Sequence, residues 1–210
     1  MAYAHQIEVL IRIEAGQLAC AADVASDLVG LGAQHGFDSW ALVGAAQQET
    51  VKALSALTEN PGDMAALRAH IVSITGFVDM WRALGMISLI TFYDAVLVRL
   101  HLATNQVEEA RQRLRTALGL ADETGMHFYD AELLRLRAYI AGDIDSQRAD
   151  LSSAIELAHG QDAHIFELRS AADNFELSGE RGRQMLVDAI SRFPDGSTWP
   201  ELARARALVE

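Results

Sequence analysis

Residues 92–100 read Phe92-Tyr93-Asp94-Ala95-Val96-Leu97-Val98-Arg99-Leu100, and residues 128–136 read Phe128-Tyr129-Asp130-Ala131-Glu132-Leu133-Leu134-Arg135-Leu136. Seven of the nine positions are identical across an offset of 36 residues. Self-similarity at a period between ~20 and ~50 residues is the mark of a solenoid, because each supersecondary unit buries its apolar face only against its neighbours. The repeat therefore predicts stacked helix pairs that offer a curved surface to a partner.

Outward from this repeat the chain divides into amphipathic segments closed by short turns containing Gly, Asn or Asp. The pattern predicts about eleven helices, over residues 3–15, 18–34, 38–57, 63–84, 86–104, 107–124, 127–141, 144–159, 163–177, 181–193 and 200–209. Asp63 reads as an N-cap and Pro200 as a first-turn proline. Short turns make successive helices antiparallel neighbours. The expected fold is all-α: a right-handed α-solenoid of antiparallel helix pairs, built from degenerate tetratricopeptide-like repeats. It is expected to form one domain over 1–210, with the clearest repeats at 86–196 and a capping helix at 200–209.

Spacing inside the helices agrees with this reading. Ala110, Leu114 and Ala117 follow the small-large-small order that lets paired helices approach, and Leu151 and Ala154 repeat part of it. Units of about 36 to 38 residues exceed the usual tetratricopeptide length of ~34, so the repeat is a lengthened one.

Composition excludes several classes. The net charge of −12 repels phosphate backbones, so nucleic acid is not an expected partner. Cys20 is the only cysteine, which rules out an internal disulfide framework or a cysteine-based metal cluster. No segment approaches the ~18 consecutive apolar residues of a membrane span, and Glu8 and Glu14 interrupt the apolar N-terminal stretch, so a cytoplasmic location is expected. The seven histidines form no strong metal spacing; His159, Asp162 and His164 merely surround one turn. No Gly-x-Ser-x-Gly elbow organises a nucleophile. No catalytic residue, metal ligand or cofactor is expected.

The repeat register places Arg99 and Arg135 on the first helix of successive units, facing the concave groove. Two Arg one repeat apart would either clamp acidic groups of a partner or pair with carboxylates on neighbouring helices. Phe92 and Phe128, with Tyr93 and Tyr129, would either form an aromatic wall of that groove or lie in the core. Phe92, Arg99, Phe128 and Arg135 are thus the candidate binding residues. Trp40 and Trp81 are expected in the core.

Three stretches carry a family resemblance: Glu123-Thr124-Gly125 with 128–137, Ala154-Ile155-Glu156-Leu157-Ala158 with 166–172, and 200–208. Together they resemble the C-terminal tetratricopeptide region of large bacterial regulators. Those proteins combine a class III adenylate cyclase or a LuxR-type DNA-binding domain with a STAND-type, AAA-like ATPase. The resemblance implies a sensor or docking arm that controls the ATPase, and it carries no catalytic residue with it. The chain lacks a Gly-x-x-x-x-Gly-Lys-Ser/Thr loop, since Lys52 follows Thr50-Val51 without the glycines. A cyclase-like pair of metal-binding Asp and a basic recognition helix are missing too. The chain thus reads as the arm without its engine.

The expected function is a non-catalytic helical-repeat scaffold that docks a protein, with an ATPase, cyclase or transcription regulator as the partner class. The alternative is a module that senses a small effector in the superhelical groove. The apolar first helix, with Ile7, Val9, Leu10, Ile11 and Ile13, further predicts a homodimer through the N-terminal helices.

Overall fold

The computed structural model describes residues 1–210. The protein is all-α, without a strand: α1 (Ala2–Glu14), α2 (Leu18–His35), α3 (Asp38–Glu59), α4 (Met64–Ala83), α5 (Ile90–Ala103), α6 (Val107–Thr124), α7 (Asp130–Ala138), α8 (Ile144–Gly160), α9 (His164–Ser178), α10 (Arg183–Ser191) and α11 (Pro200–Val209). A 3-10 turn, Gly179–Gly182, leads into α10. No helix is long and apolar enough to cross a membrane.

Helix ends follow local chemistry. The Asp63 side chain accepts a hydrogen bond from the Ala66 amide at 3.0 Å, which satisfies one of the orphan donors of the first turn of α4. Asp63→Ala is expected to lower stability by about 1 kcal/mol, read as a shift in the urea midpoint at unchanged slope. At the other end of α4, Gly85 adopts φ +69°. The Met86 amide then donates to the Trp81 carbonyl at 2.9 Å and the Gly85 amide to the Arg82 carbonyl at 3.0 Å. Both bonds belong to a Schellman motif, which needs a left-handed residue where Gly85 stands.

Two helices start three or more residues later than the periodicity predicts. Helix α5 begins at Ile90 instead of residue 86, and α7 at Asp130 instead of residue 127. The reason is a corner used twice, a left-handed glycine followed by four non-helical residues: Gly85 before α5 and Gly125, at φ +72°, before α7. The first corner also holds Leu89 at φ +65°, a conformation that ends any helical continuity into α5.

These corners lie 40 residues apart, whereas the nine-residue repeat has an offset of 36. The repeated motif is therefore displaced by about one helical turn between the two corners. Phe92 lies inside α5, but Phe128 and Tyr129 fall in the corner before α7.

The chain forms two compact units, Met1–Ala110 and Arg111–Glu210, and the division falls inside α6. In the first unit α2 packs on α1 and α3, α3 on α4, and α4 on α5; α1 and α5 each also touch α3. The face of α2 that is buried carries Ala21, Ala25, Leu28 and Gly32, a helical stripe of small residues around one leucine. Helix α1 buries Val9, Leu10 and Ile13 and leaves Ile11 exposed. Most of its apolar side is thus accounted for within the unit.

In the second unit α7 packs on α8 and α9, α8 on α9, and α9 on α10 and α11. Leu168, Ala171, Leu186, Ala189, Leu202 and Ala205 form its C-terminal core, and Trp199 packs against that cluster with its ring 6.1 Å from Phe193.

Candidate functional site

The first unit contains a cavity of about 310 Å³, lined by Tyr3, Gln6, Ser39, Trp40, Val43, Trp81, Met86, Ser88 and Tyr93. Five segments supply the lining. Tyr3 and Gln6 come from α1, and Ser39, Trp40 and Val43 from the start of α3. Trp81 ends α4, Met86 and Ser88 belong to the corner, and Tyr93 stands in the first turn of α5. The Schellman corner is what turns Met86 and Ser88 back toward Trp81. The Arg82–Asp94 ion pair ties α4 to α5 beside it, with Asp94 fully buried.

Trp81 and Tyr93 form the closed side. Both are buried, with ring centroids 5.0 Å apart and planes tilted by 60°. Trp81 also packs against Phe77 at 6.2 Å, and Tyr93 meets Phe92 edge-on at 5.0 Å. Burial pushes the Tyr93 phenol well above its usual range, with neighbouring Gln47 acting in the opposite direction. Gln47 is itself fully buried on α3, and its amide nitrogen donates to the Gln6 carbonyl of α1 at 2.8 Å. The contact of Gln47 with Tyr93 and its bond to Gln6 thus link the three helices α1, α3 and α5 behind the cavity. Trp40, expected in the core, is only half-buried because its ring forms the open wall of this cavity.

The four candidate groove residues do not share an environment. Phe92 is completely buried among its neighbours in α5, so it is a core residue and no groove wall. Arg99 is half-exposed on α5. Phe128 is 41% exposed in the corner before α7, its ring 5.9 Å from Tyr129. The one-turn displacement of the motif separates these two phenylalanines.

Arg135 of α7 is held from within. Its Nε and Nη2 donate to both carboxylate oxygens of Glu132 at 2.8 and 2.7 Å, and Nη1 donates to Asp173 of α9 at 2.7 Å. Asp173 also accepts from the Tyr139 hydroxyl at 2.8 Å. Burial by itself would lower the Arg135 pKa; Glu132 and Asp173 outweigh it and hold the guanidinium well above its usual range. The Tyr139 phenol is pushed up to about 12, chiefly by burial. Sequence explains why Arg99 differs from Arg135. The residue three positions before Arg135 is Glu132, whereas the residue three positions before Arg99 is Val96.

A second cavity of about 290 Å³, lined among others by Tyr139, Asp173, Glu176 and Leu177, adjoins this cluster. Both of its carboxylates are already committed, Asp173 to Arg135 and Glu176 to Arg204. The turn residues His159, Asp162 and His164 do not converge either. His159 meets Glu167 at 3.0 Å, Asp162 pairs with Arg192 at 2.6 Å, and the His164 ring packs 6.2 Å from Phe193.

The aromatic cavity was not legible in the sequence, because its walls come from residues 3–93 with no common spacing. The local signals that exist are Trp40 and Trp81, two large amphipathic rings near helix ends. Comparison with protein-family models, with curated proteins and with solved structures finds no match.

Proposed function

We propose that the chain is a non-catalytic, helical-repeat sensor module whose input is a small molecule held in the aromatic cavity of the first unit. One observation carries this reading: four aromatic side chains from four helices surround about 310 Å³ with no charged residue in the lining. That volume falls at the small end of the range of ~300–1,000 Å³ common for ligand sites, and a mostly apolar lining with a few polar groups is their usual chemistry.

The helix order supports a repeat array within each unit. Helices pack in sequence, and every second helix also touches (α1, α3 and α5; then α7, α9 and α11), as expected of stacked helix pairs. The cavity lies on that alternate-helix side of the first unit. The resemblance of 123–125 with 128–137, 154–158 with 166–172, and 200–208 to regulatory arms of bacterial ATPase-linked regulators supports a signalling role over a housekeeping one. A catalytic role has little to work with. The only titratable side chains in the lining are the Tyr3 and Tyr93 phenols, and Tyr93 resists ionisation.

The test is a thermal-shift screen of wild type and Trp40→Ala against a panel of small metabolites. A ligand at a hundredfold excess over its dissociation constant stabilises the folded state by about 2.7 kcal/mol, which moves the midpoint by several degrees. The expected result is at least one compound that stabilises wild type and has a much smaller effect on Trp40→Ala. Stabilising compounds that act equally on both proteins would place the site elsewhere and remove the proposal.

A further inference from the structure

The chemistry of the lining also defines what enters, and this step rests on the ligand-sensing reading above. We propose that the cavity takes an uncharged, planar aromatic or heteroaromatic ring carrying a small hydrogen-bonding substituent, and that it discriminates against both anions and cations.

Three observations carry it. First, no Asp, Glu, Lys, Arg or His lines the cavity, so an ionised group on the ligand would lose water without gaining a counter-charge. Second, only two of the four lining rings, Tyr3 and Trp40, keep an open face, fewer than a cage for an organic cation uses. Such recognition needs several open π faces around the charge. Here the faces of Trp81 and Tyr93 are taken up by each other and by Phe77 and Phe92, and both side chains are buried. The open rings are the half-buried Trp40 indole and the exposed Tyr3 phenol of α1, of which the indole offers the broader face for stacking. A flat ring fits against that face, with the packed rings of the floor meeting it in the offset or edge-on arrangements that aromatic pairs favour. Third, the polar groups are uncharged and stand at the rim: Ser39 and Ser88 are exposed and Gln6 is half-buried. They match a neutral amide, hydroxyl or ring nitrogen at the edge of the ligand. Met86, half-exposed at the corner, supplies an adaptable thioether side chain over the same opening.

Four probes of similar size separate the possibilities: benzamide, toluene, benzoate and benzyltrimethylammonium. Binding to the full chain is followed by ligand-observed NMR, with wild type, Trp40→Ala and Trp40→Phe compared. Benzamide is expected to bind most tightly, with benzoate and benzyltrimethylammonium at least tenfold weaker. Trp40→Ala is expected to weaken benzamide by about tenfold, and Trp40→Phe, which keeps a ring, by less. Toluene is expected to bind more weakly than benzamide because it leaves the rim groups unmet.

Tighter binding of the quaternary ammonium or of benzoate, lost in Trp40→Ala, would overturn the ligand class while leaving a working cavity. Equal binding of benzamide by wild type and both variants would remove the stacking role of Trp40. If none of the four probes binds wild type up to its solubility limit, the ligand class is overturned, while the sensing role stands or falls separately on the metabolite thermal-shift screen of wild type and Trp40→Ala.

Discussion

Arg135→Ala is expected to lower the unfolding free energy by about 3–5 kcal/mol, the range found when one partner of a buried ion pair is removed. The size follows from what stays behind. The Glu132 side chain is only 2% exposed and that of Asp173 15%, so both carboxylates would keep their burial and lose the cation that balances them. Arg135 also bridges α7 to α9, so its removal loosens the packing of neighbouring helices as well as one charge pair. Lysine should not restore it. Glu132 is met by two nitrogens of one planar fork while a third reaches Asp173, and an ammonium on a flexible stem cannot do both. Urea unfolding followed by helical circular dichroism checks this, with Arg99→Ala as the reference. Arg99 is half-exposed, and its replacement should cost less than about 1 kcal/mol. Equal, small effects of the two substitutions would show that the Glu132–Arg135–Asp173 cluster contributes little, and would return Arg135 to the set of side chains available for docking.

Gly32→Ala is expected to destabilise the first unit by about 2–3 kcal/mol, against the helix propensity that alone would favour alanine by about 1 kcal/mol. A Cβ on Gly32 would stand 2.5 Å from the Ala41 backbone nitrogen and 2.9 Å from its Cα. The crossing is tight from the other side too, since a Cβ on Gly44 would meet the Val29 backbone nitrogen at 2.9 Å. Backbone cannot rotate out of the way as a side-chain tip can, so α2 and α3 must separate, and buried contacts along their whole crossing weaken. Gly30 lies on the same helix, but a Cβ there would meet nothing within 4 Å. Gly30→Ala should therefore stabilise by up to about 1 kcal/mol. Opposite signs for two Gly→Ala changes two residues apart on one helix are the expected outcome of parallel melting experiments. The same sign for both would mean that the α2–α3 crossing tolerates expansion. The cavity gives this prediction a second readout, because Trp40 and Val43 sit on the α3 face next to that crossing.

Much of the helical organisation was legible residue by residue. Helices α6 and α11 run from Val107 to Thr124 and from Pro200 to Val209, as the caps and turn residues at their ends predict. Asp63 caps α4 because a short carboxylate reaches a backbone amide three residues on, a purely local event. Ala110, Leu114 and Ala117 are all buried, as their small-large-small spacing requires. The candidate site was much less legible. Phe92 and Phe128 look equivalent in sequence, yet one is core and the other half-exposed, because the corners before α5 and α7 recur at a different interval from the motif. Arg99 and Arg135 look equivalent as well, yet only Arg135 has a glutamate one turn earlier and an aspartate on α9.

By itself the sequence determined the all-helical class, most helix ends and which small residues face a neighbouring helix, because those outcomes depend on interactions within about one turn of the chain. Only the tertiary structure decided that Arg135 is neutralised, that Phe92 is core, and that Tyr3, Trp40, Trp81 and Tyr93 enclose one cavity. Those outcomes depend on which helices meet and at what phase, and side chains up to 90 residues apart in the chain carry no periodic signal of their meeting.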